Sequence, residues 1–310
     1  MITGIALHSV SYAGRWGQHA LTLDQCIDKA SELGFDGLML MAKRPHLSVL
    51  DYPPQNCRDL RRRLEHARVR AVCIAGYNNF TADLEHGDVP QIEIQVAHIT
   101  DLARMAHELA CPLVRVFTAF EHPARAWDAQ YELVIGALRQ CGRAAAPLGV
   151  TIGVQNHHDI AVDAGSLCEL ITEIAEPNCR AIYDAWAPAV QGLDPVPAAR
   201  RMGAITVHTT MANYQPRARW IYEPAVVNYR SATPRQLAVP IDEGSIEFRP
   251  FLRALADAGF RGTVAYEMCS RLRDGGTLDV LDSYARRFLR FMEELRRAEP
   301  ALWPAAQAAS

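Results

Sequence analysis

No uninterrupted apolar run in the chain approaches the roughly 20 residues a helix needs to cross a bilayer, so the sequence offers no membrane span. The opening Met1-ITGIALHS is too short and too soon ended for the apolar region of a secretory leader. One sign of charge is not in excess either. Lys and Arg number 32 against 35 Asp and Glu, a formal charge of -3, which gives no reason to expect nucleic acid or an anionic membrane as partner. The eight cysteines are scattered, with no Cys-x-x-Cys pair and no dense framework, so reduced thiols and a cytoplasmic location are expected. A Gly-rich phosphate fingerprint is missing after the first strand-like run, which removes the main argument for an open, doubly wound nucleotide-binding sheet.

What is present is alternation. Short β-type runs (ITGIALH, DGLMLM, VRAVCIAG, LVRVFTAF, VTIGVQ, RAIYD, AITVHT and GTVAYE) are separated by segments of helical spacing. Those helices fall near residues 22–33, 55–67, 90–110, 127–148, 165–175, 195–202, 248–259 and 277–297. Gly34, Gly149 and Gly259 stand where a helix ends before the next strand, and Thr22 and Thr277 stand where helices begin. Eight strand-to-helix repeats predict a parallel sheet closed into a single (β/α)8 TIM barrel over residues 1–298, with a frayed tail at 299–310.

The longer connections, at 42–54, 77–89, 156–164 and 211–247, all follow strands and therefore share the C-terminal rim. The longest carries Tyr214, Arg217, Arg219, Trp220, Tyr222 and Tyr229, and it reads as a substrate-covering lid or a subunit contact. On this basis Arg217 and Arg219 are candidate substrate contacts. Four polar residues, Gln155, Asp184, His208 and Glu267, each close an apolar run. A barrel brings such strand ends to one pocket, and an amide, two carboxylates and an imidazole make a candidate divalent-metal site.

With Asp, His and Glu closing strands six, seven and eight, the chain resembles the xylose isomerase-like superfamily, in particular its sugar phosphate isomerase/epimerase group. The resemblance covers nearly the whole chain and is most specific between about residues 150 and 290. It implies one divalent ion, Mn2+ first with Mg2+, Co2+ or Zn2+ as alternatives, held by Asp184, His208 and Glu267, with Gln155 in the place of the usual Glu. It also implies a carbohydrate substrate and, by analogy with large barrels, a homo-oligomer (dimer or tetramer).

Two departures from that pattern shape the expected chemistry. Gln155 cannot accept a proton, so two-base epimerisation by the strand-five and strand-eight residues is lost, although the amide oxygen could still ligate a metal. After Asp184 the run Ala185-Trp186-Ala187 lacks the usual His, leaving Trp186 as a flat wall. His157, two residues past Gln155, is the candidate replacement base, with Glu267 as ligand and base. His8, Arg115 and His158 complete the candidate substrate contacts. Three functional readings follow: a metal-dependent sugar or keto-sugar isomerase or epimerase; a lyase acting by β-elimination on a 3-keto sugar, keto-glycoside or dehydroshikimate-like acid; and a non-catalytic barrel subunit. A nuclease would need more metal ligands and a basic track.

Overall fold

The computed structural model describes residues 1–84 and 87–304. Along the chain the major elements are β1 (Ile2–His8), α1 (Leu23–Leu33), β2 (Gly37–Met41), α2 (Pro54–His66), β3 (Arg70–Ala75), α3 (Gln91–Glu108), β4 (Leu113–Val116), α4 (Trp127–Ala145) and β5 (Thr151–Gln155). They continue with α5 (Ala164–Ile174), β6 (Cys179–Ile182), α6 (Trp186–Val190), α7 (Pro195–Met202), β7 (Thr206–Met211), β8 (Asn213–Glu223), β9 (Asn228–Val239), α8 (Phe248–Asp257), β10 (Gly262–Tyr266) and α9 (Leu278–Ala298). Eight of these strands form a closed parallel barrel in the order β1-β10-β7-β6-β5-β4-β3-β2. Leu7 makes the closure visible, since it lies opposite Tyr266 on one side and Leu38 on the other.

The local chemistry of the joints explains the boundaries. Thr22 opens α1 with a reciprocal capping box, its hydroxyl accepting from the Gln25 N–H (3.2 Å) while the Gln25 side chain accepts from the Thr22 N–H (2.8 Å). Gly34 ends α1 at φ 91°, a left-handed conformation that side chains resist. α9 places Leu281, Tyr284, Ala285, Phe288, Met292 and Leu295 on its buried stripe at three- and four-residue spacing. Burying each large apolar side chain of this kind contributes about 1.5–3 kcal/mol. Inside the ring, Ala6, Met39, Cys73, Leu113, Ile182 and Ala265 form a separate apolar cluster drawn from strands alone, which fills the middle of the barrel beneath the C-terminal mouth.

Four details differ from the sequence reading. The fourth strand stops at Val116 because the Asn78 side chain takes over the backbone of Phe117, accepting from its N–H (2.9 Å) and donating to its carbonyl (2.7 Å). A short α6 begins at Trp186. Most of segment 211–247 is an antiparallel ribbon of β8 and β9, running from Asn213 opposite Val239 to Glu223 opposite Asn228. The chain also remains packed beyond residue 298. Leu302 and Trp303 are buried, with the Arg296 guanidinium 5.1 Å from the Trp303 ring; the rest of the expected tail, 305–310, lies outside the described residues, as do residues 85 and 86 of the expected loop at 77–89.

Candidate active site

Each side chain at the C-terminal mouth is placed by the end of its own strand. Gln155 is the last residue of β5. Asp184 stands two residues beyond β6, where the amide of Asn156 clamps its backbone by accepting from the Asp184 N–H (2.8 Å) and donating to its carbonyl (3.0 Å). Glu267 follows β10, and its N–H extends the ladder to the Met211 carbonyl at 3.0 Å. Arg115 comes from β4, is only 3% exposed and reaches across to Gln155.

These groups form one network. Arg115 donates to Gln155 Oε1 at 3.1 Å, and Gln155 Nε2 donates onward to Asp184 Oδ2. Asp184 Oδ1 accepts from Thr209 Oγ1 (3.2 Å) and the Thr210 N–H (2.6 Å), while Oδ2 also accepts from the Thr210 hydroxyl. Burial raises the Asp184 carboxyl against the pull of these donors. Burial, then the neighbouring Asp184 charge, also pushes Glu267 up, with Arg115, Thr210 and Cys269 opposing.

A divalent ion needs lone pairs from several ligands aimed at one point. Here the Asp184 oxygens are taken up by four donors and the Gln155 oxygen faces a guanidinium. His208 departs from expectation because β7 runs on to Met211. Residues two apart on a strand face the same way, so Thr210 occupies the mouth and His208 lies one layer below it. Its Nδ1 lies 2.6 Å from the Thr263 hydroxyl, its buried Nε2 has no protein partner, and burial holds its pKa at about 3. Among the described residues no group of three His, Cys, Asp or Glu converges to hold a metal. As placed, the set of Gln155, Asp184, His208 and Glu267 does not fit the Mn2+, Mg2+, Co2+ or Zn2+ ion the resemblance implies.

Above the network opens a pocket of about 310 Å³ lined by Arg115, Gln155, Asp184, Thr210 and Glu267, with Tyr77, Phe117, Trp186 and Tyr214 as aromatic walls. A larger cavity, about 770 Å³, lies at the opposite end of the barrel among Arg68, Arg70 and Arg261, away from the strand ends that carry this constellation. His157 reaches the pocket, stacked 5.8 Å from Trp186. Its Nδ1 accepts from the His158 N–H (2.9 Å), so its proton sits on Nε2, and burial holds its pKa at about 3. That makes His157 a neutral hydrogen-bond donor in place of the expected base.

Four other expected contacts lie outside the pocket lining. His158, in the left-handed region at φ 66°, packs between Phe117 and Phe120 outside the pocket lining. His8 is buried beneath the mouth, its Nδ1 accepting from the Val10 N–H and its Nε2 3.9 Å from a Glu267 oxygen. Arg217 and Arg219 ride on the solvent-exposed part of the ribbon, of which Tyr214 and Gln236, near its base, line the pocket.

Sequence reasoning missed Lys43, Tyr77, Asn156 and Thr210. Lys43 and Tyr77 stand two residues past the ends of β2 and β3, so the signal that picked out Gln155 and Glu267, a polar group closing an apolar run, was present there too. Asn156 and Thr210 carried no such signal. Their partner, Asp184, is 28 and 26 residues away.

A closed (β/α)8 barrel with its polar constellation at the C-terminal mouth defines the class of fold. The sequence pattern of the xylose isomerase-like TIM barrel matches residues 27–294, and the chain belongs to that family. No curated protein matches it by sequence. Among solved structures it is similar to D-psicose 3-epimerase with D-tagatose from Clostridium cellulolyticum H10 (15% identity, TM-score 0.71, 94% of this chain and 99% of that one). It is also similar to the probable 3-DHS dehydratase AsbF from Bacillus anthracis (17%, 0.69, 93% and 99%). A third is a xylose isomerase-like TIM barrel protein from Mycobacterium smegmatis in complex with magnesium (16%, 0.68, 96% and 99%). At these identities the likeness is one of fold.

Proposed function

We propose that the chain is an enzyme that moves a proton at the carbon beside a carbonyl of a small carbohydrate, an isomerase or epimerase of a keto-sugar, with Glu267 as its base. The observation that carries this reading is Glu267 itself. It is a carboxylate whose pKa is raised by burial, opening onto an aromatic-walled pocket that also holds the Arg115 guanidinium. The family and the sugar epimerases among its structural neighbours support the same class.

In this mechanism the Glu267 carboxylate takes the proton from carbon, and the electron pair of that C–H bond flows to the carbonyl oxygen. Arg115 and the Nε2–H of His157 hold the resulting enediolate by charge-assisted and neutral hydrogen bonds. The proton then returns from Glu267 to the neighbouring carbon, while the hydroxyl proton of the first carbon passes to the former carbonyl oxygen, or it returns to the other face of the original carbon after the intermediate turns. Gln155 takes no proton in either step. Asp184, saturated with donors, keeps the Gln155 amide turned so that its oxygen faces Arg115. In this reading Arg115 supplies the positive charge that the resemblance assigns to Mn2+ or another divalent ion.

Glu267→Gln tests the base. The variant should lose solvent-deuterium exchange into the substrate by at least about 100-fold. The acid limb of the wild-type rate should lie above the ordinary glutamate range, because the base works only when ionised and burial favours its neutral form. Unchanged exchange in the variant would sink the proposal. The lyase reading is favoured by one feature, a single carbon base where two-face epimerisation uses two, and an unsaturated product absorbing in the ultraviolet would identify it. We further infer a homo-oligomer, dimer or tetramer, formed through the ribbon. A cytoplasmic setting suits eight free cysteines.

A further inference from the structure

We infer that the substrate carries a carboxylate, bound between Lys43 and Arg115 on the β2–β4 side of the pocket. The inference deepens the function proposed above and rests on it. The barrel order divides the mouth into two halves. Lys43 after β2, Tyr77 after β3 and Arg115 in β4 occupy one arc, while Asp184 after β6 and Glu267 after β10 lie across the ring. A ligand spanning the pocket therefore meets cations at one end and carboxylates at the other.

Among the described residues these cations have no carboxylate counter-ion: neither Lys43 nor Arg115 is within ion-pair distance of a carboxylate, although the surface arginines of α2, such as Arg58, Arg61, Arg62 and Arg63, are all paired. Lys43 Nζ lies 3.5 Å from the Tyr77 ring centroid and the Arg115 guanidinium carbon lies 4.8 Å from the same centroid, so one ring bridges two positive groups. Arg115 is nine-tenths buried or more, donates to a neutral amide oxygen, and keeps a buried Nε without any partner. A buried cation in that state gains from an incoming anion, because the anion supplies both the missing charge and the missing acceptor. Burial first, then the charges of Arg15 and Arg115, depress Lys43 to about 8, which is the behaviour of an ammonium group without an anion beside it.

A guanidinium pairs with carboxylate and phosphate alike, so the comparison of sugar acids with a sugar phosphate separates the two. A six-carbon sugar acid is of a size for a cavity of about 310 Å³. Its carboxylate then sits against Lys43 and the unpartnered Nε of Arg115, its carbinol carbons extend toward Glu267, and the remaining guanidinium N–H is left for the enediolate oxygen.

Calorimetry with D-glucuronate, D-gluconate, D-glucose and D-fructose 6-phosphate on the intact protein tests this directly. The acids should bind at least about ten-fold tighter than glucose. Lys43→Gln, a substitution at a half-buried rim position, should remove most of that preference, and Lys43→Arg should retain it. Equal affinity for glucose and the acids, tighter binding of fructose 6-phosphate, no binding of any acid at millimolar concentration, or an unchanged preference in Lys43→Gln would each overturn the assignment. Binding is read without turnover, so Glu267→Gln should still take up the acid. A wild-type protein that shows no acid preference while exchanging deuterium into a neutral sugar would lose the anion site alone and leave the isomerase reading standing.

Discussion

Gln155 shows how much one atom can decide. A glutamate in its place would sit against Arg115 as an ion pair and leave no N–H to donate to Asp184. The amide instead joins cation and carboxylate in one hydrogen-bonded chain. From this arrangement we expect the purified protein, before and after incubation with Mn2+, to contain well under one equivalent of divalent ion by atomic emission, and Asp184→Ala not to change that figure. One equivalent in the wild type, lost in the variant, would mean that the Asp184 and Gln155 side chains turn to meet a metal. The presence of Gln at position 155 was legible in the sequence. The direction its amide faces was not, because that depends on Arg115, 40 residues earlier and two strand positions lower in register.

Among the elements, helix caps and terminators were read well and strand ends less well. Glycine terminators and capping residues act within a few positions, so Gly34 and Thr22 could be placed from local sequence. Whether β7 stops at His208 or runs on to Met211 is set by pairing with β10, where Thr209, Thr210 and Met211 lie opposite Val264, Ala265 and Tyr266. Local propensity does not contain that information. The Asn156 clamp belongs to this scale as well, because it ties the turn after β5 to the end of β6. Asn156→Ala leaves the Asp184 N–H and carbonyl without their buried partners and should cost about 2 kcal/mol in urea unfolding. A loss within a few tenths of a kcal/mol would show that water replaces the clamp.

For the whole molecule, the ribbon of β8 and β9 is the part the barrel does not explain. Two strands alone are marginal in water, and this pair exposes Trp220, Tyr222 and Tyr229 along with Val226 and Val227 at its turn. In the proposed oligomer a second copy would cover that surface. Sedimentation velocity should therefore find a dimer or larger assembly for the wild type and a shift toward monomer for the Trp220→Ser/Tyr229→Ser double variant. A monomeric wild type would return the ribbon to the lid role that its loop position suggested.

By itself the sequence determined the eight-fold alternation, the closed parallel barrel, and the convergence of Gln155, Asp184 and Glu267 on one mouth, because period, caps and strand ends are local properties. The tertiary structure decided depth and orientation. It set His208 a layer down, fixed His157 as a neutral donor through its contact with the His158 N–H, and put Lys43 and Arg115 around one tyrosine ring. Those outcomes depend on register between strands and on burial, which arise only once residues distant in the chain share the same low-dielectric space.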